Sequence, residues 1–209
     1  MNSFLKLPKP LQCLLATVIF LAGNLLIPCS AYSQSNLERI NFNDQRYRNQ
    51  LDEVRRKFGG DSKELRLLFE KMKEADSLNL LIVSEIIAKS GWLKGEDGRI
   101  LFMVIQHSEL DTQKKYLPMV RKAVYDGLLK PGNLALLEDR IALREGRKQI
   151  YGSQISWNLK TNQYFVLPLA DPDQVDQRRA AVGLEPLAAY IKDCCGLLWN
   201  LEEYKKQNP

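Results

Sequence analysis

A mainly α-helical single domain with one small β-hairpin, behind an N-terminal signal peptide, is the fold class that three features predict. Apolar residues recur at helical spacing from about residue 44 to residue 145. Two alternating segments, 149–157 and 163–167, give the only convincing strand signal. Ahead of both stands an apolar leader without acidic residues.

The leader starts with Lys6 and Lys9, continues as an apolar run over 11–27, and ends in the small-residue tail Cys29-Ser30-Ala31-Tyr32-Ser33. That order reads as a secretory signal peptide, with cleavage expected after Ala31 or Ser33. Two alternatives stand beside it. Cys29 as a lipid-modified cysteine is disfavoured by Pro28, where a small residue is expected, and an uncleaved anchor is disfavoured by Gln12 and Asn24. The expectation is a periplasmic or secreted protein, with residues 1–33 as the leader, 34–209 as one α-rich domain, and no membrane span after cleavage.

The helices follow in order. Asn43-Asp44 can cap a first helix running to Phe58, which Gly59-Gly60 stops. Asp61-Ser62 opens a second, with Leu65, Leu68, Phe69 and Met72 on one face, and Asp76 or Ser77 restarts it toward Gly91. Residues 99–107 are apolar all round between their polar ends, which marks the buried central element, read as helix because polar helical segments surround it. Helices over 111–127, with Pro118 inside, and over 133–145 complete this part. After the hairpin, Asp171-Pro172 starts a helix that Gly183 ends, and Pro186 starts a last helix to about Lys206.

Composition narrows the functional classes. Without residues 1–33 the chain keeps 28 basic and 25 acidic residues, a net charge of +3, with no aromatic-interleaved basic stripe, so nucleic acid is not an expected partner. Cys194 and Cys195 are the only cysteines left, and their helical setting favours one buried and one peripheral thiol over a strained vicinal disulfide. Asp171, Asp173 and Asp176 lack the glycine and distal glutamate of a calcium loop. One histidine and no metal-spaced cysteines argue against zinc, and no glycine-rich phosphate loop supports a nucleotide. No metal and no cofactor are expected, and no oligomeric state follows.

What remains is the polar density between residues 139 and 154. His107, the only histidine, is the candidate general base, with Asp139 or Asp111 to orient it; the alternative is a histidine capping its helix. Gln106 precedes it. Arg140 can clamp a carboxylate or phosphate, or it forms a packing ion pair with an acid. Arg178-Arg179 invites the same reading, but adjacent helical residues point about 100° apart, so one of them is expected to be a solvated surface charge. Gln149 and Tyr151 share a strand face, which Gln154 rejoins only past a bulge at Gly152. These three either read a sugar or peptide or satisfy buried backbone.

The chain also resembles a bacterial family, the domain of unknown function 6624. The resemblance rests on Asp44-Gln45 with Arg48, Gly91-Trp92, Gln106-His107, Leu117-Pro118 and Asp139-Arg140. It continues through Gly146, Gln149, Tyr151-Gly152, Gln154, Asp176, Arg178-Arg179, Gly183-Leu184, Glu185-Pro186-Leu187 and Tyr190. Leu93 stands where the family more often has Pro, and Ser153 where it has Thr. The resemblance implies an established domain and brings no activity, substrate or catalytic residue.

Two functional expectations result. One is a binding or interaction domain whose polar pocket takes a small polar or anionic ligand through Gln106, Arg140, Gln149, Tyr151, Gln154 and Arg178. The other is a metal-independent hydrolase or transferase with His107 as base and Asp139 as its orienter.

Overall fold

The computed structural model describes residues 29–161 and 163–208, with side chains from residue 36 onward. The apolar leader run expected as a signal peptide lies outside the described residues. Six helices come first: α1 Cys29–Arg48, α2 Leu51–Phe58, α3 Lys63–Ser90, α4 Gly95–His107, α5 Leu110–Tyr125 and α6 Pro131–Arg144. An antiparallel hairpin of β1 Ile155–Asn158 and β2 Gln163–Val166 follows. A 3-10 turn at Pro172–Gln174 then leads into α7 Val175–Ala181, α8 Leu187–Cys195 and α9 Leu201–Gln207. No described helix is long and apolar enough to cross a membrane.

Several boundaries differ from expectation for local reasons. Asp44 does not cap a helix; it lies within α1, and the break comes at Asn49-Gln50. Its carboxylate faces sideways, toward Arg48 and His107, and is not free to cap. The long α3 does not restart at Asp76 or Ser77. Ser62 caps its start, accepting from the Leu65 amide at 3.2 Å, and the helix then runs unbroken. Ser77 is accommodated by donating back to the Lys73 carbonyl at 2.9 Å, while Asp76 pairs with Arg48. The last helix is split by Gly196, whose φ of +67° ends α8, and Asn200 caps α9.

Two apolar clusters form. The larger joins α1, α3, α4, α5 and α6, with the run Ile100–Ile105 of α4 buried at its centre. The apolar-all-round segment is thus a helix enclosed by helices. The smaller cluster joins Val166, Leu169, Val175, Leu187, Ile191 and Tyr204 beneath the hairpin and the C-terminal helices.

The hairpin pairs Ile155 with Val166 and Asn158 with Gln163. It is shorter than the alternation suggests, because residues 150–153 turn away to surround Asp139, while Gln149 keeps one isolated bridge to Leu169. Gly152 in that loop has φ +69°, and a Cβ there would meet Leu187 Cδ1 at 3.0 Å. The thiols of Cys194, which is exposed, and Cys195, which is half-buried, are both free and both bond the Ile191 carbonyl. Neither is the fully buried thiol expected. Desolvation, then the neighbouring Cys195, pushes the Cys194 thiol up to about 12.

Candidate functional site

His107 ends α4, the most buried helix, so its backbone is fixed on every side and only the ring can reach an opening. Its Nδ1 lies 2.8 Å from Asp44 Oδ1 on α1. Asp44 is completely buried, and its Oδ2 accepts from the side-chain amide of Gln45 at 2.8 Å. Arg48, one turn along α1, stands 3.0 Å from Asp44 Oδ1 and donates to both carboxylate oxygens of Asp76 on α3, at 2.9 and 2.7 Å. Three helices therefore meet in a chain of charge-assisted bonds running His107–Asp44–Arg48–Asp76.

The orienting acid is Asp44, not Asp139 or Asp111. Asp111 is exposed on the first turn of α5. Asp139, fully buried on α6, spends its carboxylate on backbone amides: those of Ile150 at 2.6 Å, Tyr151 at 3.0 Å and Ser153 at 3.0 Å. It organises the loop and does not touch His107.

Donor atoms of Asp44, Asp76 and His107 lie within 4.8 Å of one another, a spacing that admits a cation. The Arg48 guanidinium already fills the space between the two carboxylates. The group is an ion-pair network in which a fixed organic cation does what a metal would do.

The remaining expected residues divide. Gln149 is fully buried and gives its amide to the carbonyls of Gln154 and Leu167 while accepting from the Gln154 amide at 2.8 Å. Gln154 donates to Ser153 Oγ at 2.9 Å. Arg178 staples the carbonyls of Ile150, Ala170 and Asp171. Arg179, expected as a solvated charge if Arg178 faced inward, is 1% exposed and donates to the carbonyls of Glu185 and Tyr151. It also stacks over Tyr190, whose hydroxyl donates to the Ser153 carbonyl at 3.0 Å. These groups satisfy loop backbone and fasten the smaller cluster to α6. The Tyr151 amide and carbonyl belong to the same knot, its ring half-buried. Gln106 has its side-chain oxygen buried without a partner, while its carbonyl accepts from Gln113.

Arg140 behaves differently. Its Nε is buried without a hydrogen-bond partner, and its guanidinium makes no ion pair among the described residues. Burial, then the nearby cations Arg144 and Arg48, lowers its pKa to about 10. The same field reaches His107, which is held below its ordinary value, first by burial, against the raising effect of Asp44, and further by Arg48 and Arg140. Arg48, Arg140 and Arg144 thus form a cationic neighbourhood beside His107, in which Arg48 has carboxylate partners, Arg144 bonds the Ser108 carbonyl at 2.6 Å, and Arg140 has neither.

The model of a family described as a family of unknown function (DUF6624) matches residues 32–198. The chain belongs to this family. No curated protein sequence and no solved structure matches it. Every residue of the His107–Asp44–Arg48–Asp76 network, and Arg140, lies within the matched span. Family membership therefore places the site in the shared domain without assigning it chemistry. Asp44, Arg48 and Asp76 are the members that sequence reasoning missed as site residues. The available signal was the i, i+4 pair Asp44 and Arg48, whose charges need partners once α1 is buried.

Proposed function

We propose that the chain is a binding domain for a small anionic ligand, a carboxylate or phosphate, taken up by Arg140. The observation that carries this reading is a guanidinium with a buried, unpartnered Nε and no counter-ion among the described residues, set among other cations. A buried charge is normally paired, because desolvation costs more than packing returns. Holding Arg140 near 10 instead of 12.5 carries a penalty of roughly 3 kcal/mol. A ligand oxyanion would remove that penalty and meet the planar fork of the guanidinium bidentately. The other expected ligand-contacting residues, Gln149, Gln154 and Arg178, enter as the scaffold that holds the α6 loop.

The test is thermal unfolding with increasing inorganic phosphate, acetate or succinate at fixed ionic strength. A ligand at about 100 times its Kd adds about 2.7 kcal/mol, a rise of several degrees. Arg140→Met should be more stable than the wild-type protein without ligand, by about 1–3 kcal/mol, and should lose the response to anions. A variant that is destabilised, or that still responds to every anion, sinks the reading.

The leader supports a second proposal, export to the periplasm or medium. Sequencing the amino terminus of the protein recovered from that fraction should give a start at Tyr32 or Gln34.

A further inference from the structure

We propose that His107 is a proton acceptor, its Nε2 deprotonating a hydroxyl or a water held in the hollow beside it. The ring is asymmetric. Nδ1 is committed to Asp44 at 2.8 Å, and Nε2 has no protein hydrogen-bond partner among the described residues. An ionised carboxylate accepts only, so Nδ1 carries the hydrogen and the lone pair of the neutral ring sits on Nε2. Asp44 is itself immobilised by Arg48 and Gln45, which fixes the ring's tautomer and its direction together.

His107 lines a hollow of about 290 Å³ between α3 and the α4–α5 junction. Polar groups of Lys73, Asp76, Ser77 and Thr112 share its wall with apolar Met72 and Leu80. The volume is at the small end of ligand sites, suited to a compact molecule with one polar end. His107 is thus both the partner of Asp44 and part of the wall of this hollow.

The step is a proton transfer. The O–H bond of the bound hydroxyl or water breaks, its proton joins the Nε2 lone pair, and the oxygen keeps the electron pair as a nucleophile. The imidazolium formed is stabilised by Asp44 across the Nδ1–H bond; as the oxygen bonds to an electrophilic centre of the bound molecule, the bond from that centre to its leaving group breaks, and the leaving group takes the proton from Nε2. The charged groups that set the balance are Asp44 and Arg48 from α1, Asp76 and Lys73 from α3, Glu109 after α4, and Arg140 from α6. Burial opposes the imidazolium most, Asp44 favours it, and Arg48 and Arg140 add to the opposition, so the balance lies toward a neutral ring able to accept.

His107 is the only histidine in the chain, so its state can be read without assignment. A long-range proton–nitrogen spectrum of the full folded chain at pH 7.5 should show one neutral ring with Nδ1 protonated and Nε2 bare. An imidazolium at that pH, or hydrogen on Nε2, overturns the proposal. Diethyl pyrocarbonate should add one carbethoxy group to the ring, seen as an absorbance step near 240 nm that is lost entirely in His107→Gln. A native chain that gives no step has its Nε2 walled off, which also overturns the proposal. Asp44→Asn should mix the two tautomers and move the midpoint of the modification-rate profile downward. If that variant does not fold, the wild-type spectrum by itself decides which nitrogen holds the hydrogen. None of these readouts involves an anion, so loss of the phosphate response would refute the binding reading and leave this one standing.

Discussion

Removing the Asp139 carboxylate is the sharpest perturbation of this fold. Its two oxygens receive three backbone amides, from Ile150, Tyr151 and Ser153, at 2.6 to 3.2 Å, and the side chain is completely buried. Asp139→Ala strands three donors beneath the loop. Each stranded donor costs about 1–3 kcal/mol, partly relieved where water follows the truncated side chain, so a loss of about 3–5 kcal/mol is expected. Asp139→Asn keeps one accepting oxygen and turns an amide group toward Ser153, for a loss of about 2–3 kcal/mol. Against a total stability of about 5–15 kcal/mol these are large fractions. Urea unfolding followed by circular dichroism measures them, with the midpoint falling and the slope unchanged. A loss below about 1 kcal/mol for the alanine variant would show that the loop holds itself, and the structural reading of Asp139 would fail.

Other outcomes follow from the same packing. Burial, the largest influence on His107, depresses its folded value, so the unfolded chain takes up the proton first. Its contribution to stability is complete above about pH 6.5 and is lost as pH falls through the folded value. Denaturant melts between pH 5.5 and 7.5 should show that decline, and His107→Gln should flatten it. Gly152→Ala forces φ +69° on a side-chain-bearing residue and sets a methyl 3.0 Å from Leu187, so a loss of about 2–3 kcal/mol is expected by thermal unfolding. Leu187→Ala, at a fully buried position of the smaller cluster, should cost about 2–5 kcal/mol in the same assay.

Much of the helical order was legible because it depends on local periodicity and caps. The apolar run ending at His107 had to be buried, and Ser62 and Gly91 mark real helix ends, whereas Gly196 ends α8 inside what reads as one last helix. What the sequence concealed were partnerships set by packing. Asp44 reads as a cap because Asn and Asp before an apolar run usually are caps, yet a buried α1 turns its carboxylate onto a histidine 63 residues away. Asp139 sits 32 residues after His107 with nothing between to exclude contact, so only the fold could assign it to the loop amides. The alternation over 149–154 was misleading for a related reason. Between Gln149, which keeps a single bridge to Leu169, and Gln154, the amides of Ile150, Tyr151 and Ser153 turn onto the Asp139 carboxylate instead of pairing along a strand.

Asp139 and Arg140 pose the decisive question, because neighbours in sequence with opposite charge invite the view that they neutralise each other. The geometry separates them. Consecutive helical side chains diverge by about 100°, and the Asp139 oxygens are occupied by amides, while the charges that act most on Arg140 are Arg144 and Arg48. Their removal should therefore act with opposite sign: Asp139→Ala destabilises, and Arg140→Met stabilises. Combined, the two should sum to within about 0.5 kcal/mol, as for sites without a shared partner. A double-mutant cycle by urea unfolding measures the remainder. If the pair instead shows coupling above about 1 kcal/mol, with Arg140→Met harmless only once Asp139 is gone, then Asp139 is the counter-ion of Arg140. The guanidinium would then have no need of a ligand, and the anion-binding reading would fall with it.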